Sequence, residues 1–86
     1  MKRKHLINLR EEKDWYQRDV VARLKEKHNL DITVSYYGMI ETGKRTPRLE
    51  LALAIADVFD VKPNDIFFTK QNNKKLFKSN IAWEMN

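Results

Sequence analysis

Eighty-six residues, of which 42 % are hydrophobic, carry 17 Lys and Arg against 12 Asp and Glu for a formal charge of +5. A chain of that length supports one modest core, so a second domain is excluded, and without cysteine neither a disulfide framework nor a thiolate zinc site can be built. No apolar run approaches the roughly 18 residues of a membrane span or forms a signal peptide, which makes a soluble cytoplasmic domain the expectation.

The apolar spacing predicts helices throughout. Leu6, Ile7, Leu9 and Arg10 form one stripe over residues 3–13, a first helix ending near Asp14. Tyr16 and Gln17 open a second, in which Val20, Val21, Leu24 and His28 recur at helical spacing while Arg18, Arg23, Lys25 and Lys27 fall on wet faces. Asn29 and Asp31 are turn formers, and Thr33 is a good N-cap for a third helix over residues 34–42. In that helix Tyr37 and Ile40 share a buried face, whereas Ser35, Gly38, Met39 and Thr42 share the opposite, almost uncharged one. Gly43 is placed to end it in a left-handed cap, and Lys44 and Arg45 follow directly.

Thr46 and Pro47 read as the start of a fourth helix, with Thr46 as cap and Pro47 tolerated in the first turn. Leu49 to Phe59 is apolar on nearly every side, which predicts the central, buried helix. Pro63 opens a short last helix, with Asp65 near its positive end, Val61 stapled onto Ile66, and Phe67 closing the core. From Thr69 onward Lys, Asn, Gln and Ser dominate around isolated Leu76, Phe77, Ile81 and Trp83. The expected architecture is an all-α, five-helix domain over residues 1–68 with a tail over residues 69–86.

Charge is uneven along this plan. Residues 1–48 hold 12 bases and 7 acids, residues 49–68 hold 1 and 4, and residues 69–86 hold 4 and 1. A neutral helix face beside a cationic loop in a basic half suggests DNA, the cations holding phosphates and the neutral face meeting bases.

The run YYGMIETGKRTPRLELALAIADVFDVKPNDIFF resembles the second half of the phage-repressor-like helix-turn-helix family, the lambda-repressor and Cro type also called the xenobiotic response element family. The shared pattern is I-E-N-G-K-R-x-P, an apolar helix beginning L-x-L-A, then I-A-x-x-L/F-x-V and a closing I-F. Upstream, LREEKDWYQRDVV is similar to the family's L-R-x-x-K-x-x-T-Q-x-x-L-A. Thr42 replaces the usual Asn, and Tyr16 stands where Thr is common. The connection from Leu24 to Ile32 is about six residues longer than the usual L-G-V-S, so either the second helix is extended or the turn is a real loop.

The resemblance implies a role for particular residues. Base readout maps onto Val34, Ser35 and Met39, of which Ser35 can form one hydrogen bond and the others can pack on thymine methyls. Backbone contacts map onto Gln17, Arg18, Thr33, Tyr36, Lys44, Arg45 and Arg48. The competing readings are that Val34 and Met39 are core residues, that Gln17 is merely solvated, and that Lys44 and Arg45 form a wet basic loop. Arg10 and Glu41 are implied to form a structural ion pair between the first and third helices; the alternative puts Arg10 on DNA.

No catalytic constellation, cofactor motif or metal site is visible, since His5 and His28 lie on different helices without cysteine or clustered carboxylates beside them. The functional expectation is sequence-specific binding of double-stranded DNA by a small regulator. It would be a repressor of the phage or mobile-element type, acting as a homodimer without a cofactor. The rival is an antitoxin-like interaction protein whose residues 69–86 bind a protein partner, with DNA binding secondary.

Overall fold

The computed structural model describes residues 2–67, so the expectations for the tail, Leu76, Phe77, Ile81 and Trp83 included, lie outside the described residues. Five helices follow one another: α1 (Lys4–Glu12), α2 (Gln17–His28), α3 (Val34–Thr42), α4 (Leu49–Val58) and α5 (Pro63–Ile66). No strand occurs among the described residues. α4 packs against α2 and α5, α2 also packs against α3, and α1 closes the domain against α3 and α5.

The core draws on every helix. Leu6, Val20, Leu24, Tyr37, Ile40 and Ile55 are fully buried, with Leu51, Ala54, Val58, Phe59 and Ile66 nearly so. Each fully buried Leu or Ile contributes about 1.5–3 kcal/mol of transfer free energy. Such a sum only narrowly outweighs chain entropy in a domain this small, so the polar contacts described below matter to whether it folds.

With two glycines in the chain, three of the helix ends rely on other residues. Asp14, Asn29 and Asp60 all adopt left-handed φ near 60° at the ends of α1, α2 and α4. Their short polar side chains tolerate that region better than other L-residues do. At Asn29 this resolves the long connection. α2 continues to His28, the amides of Asn29 and Leu30 bond back to the carbonyls of Lys25 and Leu24, and the remaining residues lead into α3 without regular secondary structure. Leu30 and Ile32 pack on the core from that segment, and His28 Nε2 meets Asp57 Oδ2 at 2.9 Å, tying the added turn of α2 to α4.

α4 departs from expectation twice. It begins at Leu49 with Arg48 as its N-cap residue, in extended conformation (ψ 162°) and without a side-chain cap bond, so Thr46 and Pro47 belong to the loop before it. Pro47 is buried against the body of the domain instead of opening the helix. The first helical bond therefore runs from the Ala52 amide to the Arg48 carbonyl, and Glu50 occupies the positively polarised first turn. The helix is also not buried all round, since Leu49 and Leu53 open to solvent.

Candidate nucleic-acid interface

α3 is the best-delimited element of the chain. The Thr33 Oγ1 accepts the Tyr36 amide at 3.0 Å, which fills one of the donors a helix start leaves unpaired. At the other end Gly43 takes φ 85°, a conformation costly to any residue with a Cβ. The amides of Lys44 and Arg45 then fold back onto the Met39 carbonyl at 2.9 and 3.2 Å. The backbone of the basic loop is thus pinned to the end of α3, while both cationic side chains are exposed.

Inward, α3 buries Tyr37, Ile40 and Glu41. Outward, Val34 is 41 % exposed, which leaves it out of the core. Ser35 and Thr42 are exposed too, whereas Tyr36, Gly38 and Met39 are half-buried. The part of the outer face most open to a partner is therefore its N-terminal turn. Thr33, Arg18 and Arg48 are exposed at the starts of α3, α2 and α4 respectively.

Glu41 is the hub that fixes α3 against its neighbours. Arg10 Nε and Nη2 donate to its two carboxylate oxygens at 2.7 and 3.1 Å, and Gln17 Nε2 donates at 3.0 Å. Arg10 Nη1 also donates to the Trp15 carbonyl at 2.9 Å. Three helices thus meet at one buried carboxylate. The hydrogen bonds and charge of Glu41 raise the pKa of Arg10 further, against the opposing effect of burial, so the guanidinium stays charged. Gln17, mapped to phosphate by resemblance, has its amide engaged in this hub. A Cβ at Gly38 would stand 3.2 Å from Gln17 Oε1, so glycine allows α2 and α3 this close approach.

The Tyr37 hydroxyl is buried beside Glu41 but makes no hydrogen bond of ordinary geometry among the described residues. Burial, reinforced by the nearby negative Glu41, pushes its ionisation far above the usual tyrosine range, so it stays neutral. An unpaired buried hydroxyl is a net cost. Tyr37→Phe is therefore expected to keep the melting temperature or raise it slightly, by up to about 1 kcal/mol of stability. A clear drop in a thermal melt would show that the hydroxyl is bonded.

Two contributors were not singled out from the sequence. Arg3 reaches the C-terminal end of α3: its amide donates to the Glu41 carbonyl at 2.8 Å, and Nη1 donates to the carbonyls of Ile40 at 2.6 Å and Arg45 at 3.2 Å. A cation there complements the negative end of the helix dipole. Contacts to main-chain carbonyls leave no residue-type signal that could have revealed it. Tyr16, 63 % exposed beside Gln17, has the Arg18 guanidinium 4.4 Å from its ring centroid, a cation–π pair that holds Arg18 at the start of α2. Its missing threonine hydroxyl is offset by Asp19, whose carboxylate reaches back to the Tyr16 amide at 2.7 Å.

Two consecutive helices locked by a buried hub, the second with its N-terminal turn free and a basic loop at its end, define a helix-turn-helix DNA-binding domain. The chain belongs to the helix-turn-helix family, whose profile matches residues 6–66, and within it to the XRE or lambda-repressor-like type of DNA-binding regulator. No curated protein and no solved structure matches the chain. Among the described residues no helix is long and apolar enough to cross a membrane.

Proposed function

We propose that this chain is a sequence-specific transcriptional repressor of the small phage or mobile-element type, which blocks a promoter by occupying it and performs no catalysis. The observation that carries this reading is the outer face of α3, where exposed, uncharged Val34 and Ser35 stand on a helix that ends in the exposed cations Lys44 and Arg45. In the bound state Val34 and Ser35 meet base edges in the major groove, with Met39 contributing through its accessible part. Arg18, Tyr36, Thr33, Arg48, Lys44 and Arg45 line the phosphates. Gln17 contributes to DNA through its position at the start of α2 while its amide holds Glu41. A homodimer would place two such helices about 34 Å apart on a two-fold operator.

Selection of bound duplexes from a random pool tests this directly: a two-fold motif should emerge, leaning toward thymine at the contacted steps. Val34→Ala and Ser35→Ala should leave the melting temperature unchanged, because both side chains are exposed. Each should cost about 1–3 kcal/mol in discrimination at one base step. Selection that yields no motif would refute sequence specificity. Variants that keep the parental motif would move the reading residues elsewhere.

A further inference from the structure

α4 presents an apolar ridge that neither the core nor the proposed DNA interface uses. Leu49 and Leu53, one turn apart, are 64 % and 47 % exposed. Two grooves adjoin them. One is lined by Thr46, Pro47, Leu49, Ala52 and Phe67. The other has Leu30, Leu53 and Ala54 as its apolar lining, with His28, Glu50 and Asp57 beside them. Leu53 thus sits between two exposed carboxylates, three residues before it and four after it on the same helix face.

We propose that this face is the docking site of the chain's own C-terminal segment, residues 70–86, folding back within one molecule. The chain leaves the described domain at Phe67, which is itself a wall of the first groove. The segment that follows carries Lys70, Lys74, Lys75 and Lys78, and the ridge lies in a stretch with an acidic excess, residues 49–68, which hold four acids and one base. Leu76, Phe77, Ile81 and Trp83 supply the apolar side chains that two grooves beside exposed leucines require. Length is no obstacle. Eight residues separate Phe67 from Leu76, and the nine steps between them span up to about 30 Å, whereas Leu49 to Asp57 covers only about 12 Å of helix. Glu50 and Asp57 also repel phosphate, which sets this face apart from the DNA-binding one.

The chain has no cysteine, so a Ser79→Cys variant accepts a single nitroxide spin label. In the full-length labelled protein the amide signals of Leu49, Leu53 and Asp57 should be lost to paramagnetic broadening while those of Ser35 and Thr42 persist. Adding Lys74→Glu and Lys75→Glu, which leaves every residue of the described domain and the His28–Asp57 contact unchanged, should bring the lost signals back. Signals of α4 that persist in the labelled parent would overturn the proposal and leave the ridge to a separate protein partner. Loss of α4 signals in an isotope-labelled chain mixed with spin-labelled copies would overturn it as well, by assigning the face to a second copy of the chain.

Discussion

Replacing Glu41 with alanine is expected to destabilise the domain by about 3 kcal/mol, and replacing Arg10 with alanine by about 5 kcal/mol, the two ends of the range for breaking a buried pair. The order follows from what each change leaves behind. Without Glu41, the Arg10 guanidinium loses two hydrogen bonds but retains the Trp15 carbonyl and some water, its side chain being 15 % exposed. Without Arg10, a carboxylate only 2 % exposed keeps Gln17 as its remaining hydrogen-bond donor. Against a total stability of about 5–15 kcal/mol, either loss shifts the folded fraction measurably at growth temperature. Glu41→Gln, which retains an acceptor for Arg10 or Gln17, should lose less than Glu41→Ala. Denaturant melts that rank Glu41→Ala below Arg10→Ala in stability would show that the guanidinium, not the carboxylate, is the costlier orphan.

What the sequence revealed depends on how local each cause is. α3 was readable to the residue because Thr33 and Gly43 act on their own helix, through a side-chain cap and a left-handed turn that need no other part of the molecule. The start of α4 was misread because a Thr-Pro pair suits a helix's first turn and a loop equally; burial of Pro47, a tertiary matter, decided for the loop. Helix periodicity likewise gave no phase for α4. A helix apolar on every side does not say which leucines face out, and Leu49 and Leu53 do. Gln17 shows the limit most clearly, since a glutamine at a helix start invites a phosphate reading, while nothing in the spacing shows that one of its amide hydrogens bonds Glu41 24 residues away. Long-range closure of that kind, like the hold of Arg3 on the end of α3, leaves no trace in spacing.

Truncating Lys44 and Arg45 together to alanine is expected to leave the fold intact and to weaken DNA binding on every sequence alike. The structure uses the main-chain amides of these residues, not their side chains, to close the end of α3, so the cap survives the change. What is removed is two cations free to displace counterions from phosphates, and the slope of log affinity against log salt should fall by about 1.8. That slope change sets the size of the effect. The deficit of the variant should be largest at low salt and shrink about tenfold between 50 and 200 mM, because the wild-type advantage is itself electrostatic. The preferred motif in a random-pool selection should not move, since a phosphate contact carries no base information. A variant that kept the parental salt slope and nonspecific affinity but lost only its preferred site would place Lys44 or Arg45 on a base edge, and the neutral turn of α3 would then no longer be the reader.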